Sequence, residues 1–141
     1  MSTSPCDGFG SMEAYGLAKT ADLLDDAAAA ISAAAESPDP EAIHKMRVAI
    51  RRFQQALRLF RQFLRKKGLR RVRTELKEIM TAAGNVRNYD IAIGLVRKAR
   101  GTTEALTVDR AAARQQFATL LQTAVRPGMD REWRSVLGLK R

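Results

Sequence analysis

The sequence predicts an all-α fold, an antiparallel four-helix bundle with a short fifth helix at its C-terminal end. Three observations carry that expectation. Apolar residues recur at helical spacing in four long segments. No segment shows the apolar–polar alternation of a half-buried strand. The 45% hydrophobic fraction leans on Ala, Leu, Val and Ile, with aromatics at only 6%, and four prolines leave room for long helices. A chain of 141 residues suits one domain.

Residues 1–11 are rich in Ser, Gly and Pro and read as a disordered tail, leaving 12–138 as the helical domain. The first helix is expected over 12–36, where Leu17, Ala21, Leu24, Ala28, Ile31 and Ala35 share one face. The segment SPDPE breaks it. Asp39 is a good N-cap for the next helix, and Pro40 fits the first helical position. That second helix should run from 40 to about 66, with Met46, Ala49, Phe53, Leu57, Phe60 and Leu64 inward. Lys66-Lys67-Gly68 is expected to end it, with Gly68 as C-cap. A third helix carries Leu69, Val72, Leu76, Ile79, Met80 and Ala83, is weakened or bent at Gly84-Asn85, and continues to about Arg100. The fourth spans about 103–125, with Leu106, Ala113, Phe117, Leu120, Leu121 and Ala124 apolar, and Arg126-Pro127-Gly128 stops it. Asp130 to Leu137 is the short fifth helix. Short connections favour antiparallel neighbours.

Charge is distributed unevenly. Residues 1–43 carry about −7 and residues 44–141 about +17, within a net charge of +10. Such asymmetry points to a polyanionic partner. The lone Cys6 excludes an internal disulfide and suits a cytoplasmic protein. One Cys and one His cannot build a usual zinc site, and no metal or cofactor is expected. No apolar run approaches a membrane span. The Ala-rich stretch 27–35 follows Asp22, Asp25 and Asp26, the wrong charge for a signal peptide.

The basic excess has a pattern. With His44 taken as the origin at about 100° per residue, Arg47, Arg51, Arg58 and Arg65 fall within about 60° of it, opposite the apolar face. Arg52 and Arg61 sit on the flanks. A solvated helix face ordinarily mixes acids and bases for i, i+4 pairing. Residues 44–77 instead hold thirteen bases and one acid, Glu75. Like charges at that spacing cost helix stability, so the segment reads as a face for an external anion. Arginine outnumbers lysine along it, which suits phosphate oxygens. His44 lies on the polar side and reads as a ligand contact, because no nucleophile or carboxylate partner accompanies it. The segment GNVRNYD (84–90) is read two ways: a plain helix break, or a kink that aims Arg87 at the stripe, with Arg87 and Asp90 able to pair. No P-loop, zinc-protease motif or catalytic triad is present, so enzymatic activity is not expected.

The stretch DPEAIHKMRVAIRRFQQALRLF (39–60) closely resembles the opening motif of CHAD domains, the conserved-histidine α-helical domains. That motif reads roughly H-x-x-R-V-x-x-R-R-x-x-x-x-L-R-x-F, matched by His44, Arg47, Val48, Arg51, Arg52, Leu57, Arg58 and Phe60. A second family signature, roughly L-G-x-x-R-D-x-D, is matched by Gly84, Arg87 and Asp90. Gln54 stands where arginine is common and Asn88 where aspartate is usual. The resemblance implies an all-helical fold and binding of inorganic polyphosphate without turnover. It implies a site of His44, Arg47, Arg51, Arg58 and Arg87, to which the helical stripe adds Arg52, Arg61 and Arg65. It also implies a cytoplasmic setting, near polyphosphate granules or triphosphate enzymes. Family members carry two similar four-helix halves, whereas this chain has one, so a homodimer is expected. Nucleic-acid backbone binding is the main alternative. The basic face lacks aromatics for base stacking and is poor in short polar side chains for base readout. A docking module for a phosphate-metabolism enzyme is another.

Overall fold

In a computed structural model the chain is all-helical, and the structure describes residues 5–139. Its elements are α1 (Pro5–Glu36), α2 (Pro40–Leu59), a single 3-10 turn (Arg61–Phe63), α3 (Lys66–Lys98), α4 (Glu104–Ala124) and α5 (Met129–Leu137). α1 begins at Pro5, so the helix takes in part of the segment expected as a tail; residues 1–4 of that tail lie outside the described residues.

α1 packs chiefly on α2, and α3 on α4; α2 joins the pairs through α3, and α5 crosses against α3 and α1. Asp39 caps α2 as its sequence predicts: its Oδ1 accepts the Ala42 backbone N–H at 2.8 Å, with Pro40 at the start of the helix. The core draws on all five helices. Leu24 and Ile31, Met46, Ile50, Phe53 and Leu57, Leu76 and Ile79, Phe117 and Leu121, and Trp133 and Leu137 are all buried. These sit at i, i+3, i+4 and i+7 spacing, which is why the periodicity in the sequence is so regular.

The second half of α2 departs from expectation. The helix ends at Leu59, not near 66, and the chain makes one 3-10 turn before Leu64 becomes extended. Lys66-Lys67-Gly68 does not end a helix; it opens α3. The cause is α5. The Arg65 N–H donates to the Leu137 carbonyl at 3.1 Å, pulling this corner onto the C-terminal helix. Gly68 is buried there, and a Cβ on it would lie 1.7 Å from the Val136 carbonyl oxygen. Any side chain would hold the two backbones apart, so the glycine serves a close approach and not a cap. The third helix also departs: α3 runs unbroken through Gly84-Asn85, where nothing lies within 4 Å of a Cβ built on Gly84.

Trp133 is the largest fully buried side chain. Its ring stacks on Phe53 of α2, with centroids 6.0 Å apart and planes at 28°. Its indole N–H donates to Glu75 of α3 at 3.2 Å. The inner face of α2 thus packs on α1 and α3, with Trp133 of α5 stacked on Phe53, and the opposite, basic face is left outward.

Candidate anion-binding face

The basic face begins where α2 crosses α3. His44 and Arg47 of α2 and Val86, Arg87 and Asp90 of α3 line a narrow crevice of about 20 Å3, room for roughly one water-sized oxygen. Pro40 and Ile43 close its end at the N-terminus of α2. His44, Arg51 and Arg87 are exposed, whereas Arg47 is partly buried. α2 is one regular helix here, so residues 44, 47 and 51 share a side.

Arg47 is the unusual member. Its Nε is buried and has no hydrogen-bond partner. Among the described residues, neither Arg47, Arg51 nor Arg87 forms an ion pair. Burial lowers the pKa of Arg47 below its ordinary value, and the Arg51 and Arg87 charges lower it further. Guanidinium groups stay protonated even so. The result is a cation that is partly desolvated, crowded by like charge and short of an acceptor. An anion entering the crevice would relieve all three conditions.

The other residues of the sequence-predicted stripe do not gather at this point. Arg58 and Arg61 border a separate surface hollow with Gln55 and Gln62, and Arg61 lies on the 3-10 turn, its Nη1 donating to the Arg58 carbonyl at 3.3 Å. Arg52 lines the α1–α2 groove with Tyr15, Lys19 and Asp26. Arg65 leaves the face altogether. It precedes α3, and its Nη1 reaches the Ser135 carbonyl at 3.5 Å while its stem lies against Gly138. The stripe is thus kept along α2 from His44 through Arg47 and Arg51 to Arg58, joined at its crevice end by Arg87 of α3, with Arg61 following on the 3-10 turn; Arg65 leaves it because the helix that would have carried it ends at Leu59.

Asp90 also departs from expectation. It forms no ion pair with Arg87; its Oδ1 lies 3.3 Å from Arg110 Nη1 and 3.7 Å from Arg114 Nη2, both on α4. Arg87 is brought toward the stripe without a kink, by the regular turn of α3 past Val86. Sequence reasoning misses Arg110 and Arg114, although their i, i+4 spacing on α4 is a usable signal.

The family model of the CHAD domain matches residues 18–141. The chain belongs to the CHAD family. Both motifs that carry the resemblance reach the crevice: the first lines it with His44 and Arg47 of α2, with the Arg51 charge acting on Arg47 from outside the lining, and the second lines it with Arg87 and Asp90 of α3. No curated protein matches the chain. Among solved structures it is similar to one described as a periplasmic sensor domain of a sensor histidine kinase, at 20% identity and a TM-score of 0.34, over 89% of this chain and 88% of that one. Among the described residues no group of three or more His, Cys, Asp and Glu side chains is placed to hold a metal ion. Among them, too, no helix is long and apolar enough to cross a membrane.

Proposed function

We propose that this CHAD domain is a binding module for inorganic polyphosphate and performs no turnover. The observation that carries the reading is Arg47: a buried, unpartnered Nε on a guanidinium flanked by two further unpaired arginines. Such an arrangement destabilises the protein until an anion arrives. Family membership narrows the anion, because the resemblance implies polyphosphate. The chemistry agrees: polyphosphate carries about one charge per phosphate and no bases, and the basic face has bidentate donors and no stacking platform. The polyphosphate would enter at the crevice and continue past Arg51 toward Arg58 and Arg61. On the same reading two copies associate, joining two basic faces as the two halves of longer family members do, in the cytoplasm and near polyphosphate.

The test is a titration of the whole protein with polyphosphate of defined length, with duplex DNA and RNA as competitors. Replacing Arg47, Arg51 and Arg58 together by alanine is expected to abolish binding with helix content unchanged. Single and double variants of the same set should flatten the slope of log affinity against log salt by about 0.7 for each phosphate left without its arginine. Full affinity in the triple variant would overturn the site. Displacement of polyphosphate by nucleic acid at equal phosphate concentration would favour a nucleic-acid backbone as the ligand. Sedimentation that gives only monomer, with and without polyphosphate, would remove the dimer.

A further inference from the structure

Among the described residues, the buried side-chain polar atoms that lack a hydrogen-bond partner are both arginine Nε atoms, of Arg47 on α2 and Arg114 on α4. One carboxylate lies between them. Asp90 lines the crevice beside Arg47 and Arg87, and its Oδ1 reaches Arg110 at 3.3 Å and Arg114 at 3.7 Å. Its single negative charge therefore stands among the guanidinium groups of Arg47, Arg87, Arg110 and Arg114. The neighbourhood keeps a surplus of about three positive charges, before His44 is counted, and the carboxylate cannot neutralise it.

We infer that Asp90 is a positioning residue: it draws Arg110 and Arg114 to the mouth of the crevice, so that α4 supplies two further phosphate ligands and the anion track turns from α2 across α3 onto α4. The inference rests on the polyanion-binding reading above and names residues of the same site. Long, flexible arginine side chains lose rotamer freedom when they bind. A carboxylate that already holds them at the α3–α4 seam removes part of that cost before the ligand arrives. Arg114 keeps a substantial part of its side chain exposed, 42%, so its outer nitrogens remain open to a ligand while one of them faces Asp90.

A sign test separates this role from plain electrostatics. Removing a negative charge from a cationic site should strengthen polyanion binding if Asp90 acts only through its field. If Asp90 positions the α4 arginines, Asp90→Asn should weaken binding of long-chain polyphosphate instead, by about tenfold, although the net charge rises. Asp90→Glu should restore much of the loss. The double variant Arg110→Gln with Arg114→Gln should also weaken binding and flatten the salt slope by about 1.4. Thermal unfolding of each variant accompanies the titration, and the glutamine pair keeps the inference falsifiable if Asp90→Asn does not fold. Tighter binding by Asp90→Asn, or wild-type affinity and salt slope in the glutamine pair, would overturn the inference while leaving the crevice intact. Failure of the unmodified protein to bind polyphosphate would instead overturn the proposed function itself.

Discussion

Two groups of arginines in this molecule are built from the same side chain and end in opposite electrostatic states. At the junction of α3 and α5, Arg126 forms a bidentate pair with Glu132, with Nη2 2.6 Å from Oε1, and also meets Glu75 at 3.2 Å; Arg71 reaches Glu132 at 3.0 Å. Hydrogen bonding to Glu132, with the Glu75 and Glu132 charges behind it, raises the pKa of Arg126 above its ordinary value against the effect of burial. In the crevice of α2 and α3, burial and the neighbouring Arg51 and Arg87 charges lower that of Arg47. Arginines that hold the fold together have their carboxylates inside the chain. Among the described residues Arg47, Arg51 and Arg87 form no ion pair, and the carboxylate in their crevice, Asp90, pairs with Arg110 and Arg114 instead; on the proposed reading their counter-charge comes from a ligand. Local density of positive charge therefore says little about ligand binding until the partners are counted.

The largest effect should come from the residue that couples the two regions. Trp133 stacks on Phe53 of α2 and donates to Glu75 of the α3–α5 cluster. Trp133→Ala should remove about 3–5 kcal/mol of stability in denaturant unfolding, from the burial given up plus the cavity left behind. A change below about 1 kcal/mol would mean that α5 is an appendage to the bundle and does not couple the two regions.

How far the sequence reveals this arrangement depends on the range of the contacts. The helices and the inward residues from Leu24 to Leu121 follow from local periodicity, as does the Asp39-Pro40 start of α2. The proximity of His44, Arg47 and Arg51 follows from one helix turn and the next. What is not legible depends on residues far apart in the chain. The end of α2 is decided by the Arg65 N–H meeting Leu137 and by Gly68 against Val136, more than sixty residues away, and local propensity favours a longer helix. Spacing offers Arg87 as a partner for Asp90, but helix packing gives it Arg110 and Arg114. Trp133 is visible in the sequence only as one aromatic in a short C-terminal helix, because a nine-residue segment has too few turns to reveal its partners.

A smaller effect should come from unpairing the structural cluster. Arg126→Met keeps the side-chain stem and removes the charge, leaving Glu75 and Glu132 underpaired. A loss of about 1–2 kcal/mol is expected, reduced from a buried-pair value because both partners remain partly exposed. The pH dependence should move with it. The Arg126 hydrogen bond, followed by the Arg126 and Arg71 charges, holds Glu132 below its ordinary value of 4.5. A depressed carboxyl stabilises the fold above its unfolded value, and that contribution is lost as pH falls through the lower folded value. Stability of the unmodified protein should therefore decline as pH drops below about 4.5, and Arg126→Met should decline less over the same window. Parallel pH curves would show that Glu132 gains its stabilisation from Arg71 alone.

The smallest change in stability, and the most informative, is expected at Arg47. Arg47→Met also keeps the apolar stem, but it removes a cation that is partly desolvated, repelled by Arg51 and Arg87, and without an acceptor at Nε. Stability should stay within about 0.5 kcal/mol of the unmodified protein or rise slightly. Polyphosphate affinity should fall by about tenfold. The pair of methionine variants thus isolates the difference between the two regions: the same substitution destabilises the fold where arginine meets glutamate and spares it where arginine meets arginine. Equal destabilisation by the two variants would mean that Arg47 is held by the protein after all. Unchanged affinity with unchanged stability would remove the reason for placing the anion in the crevice. Only a loss of binding without a loss of stability fits a charge kept unpaired for a ligand.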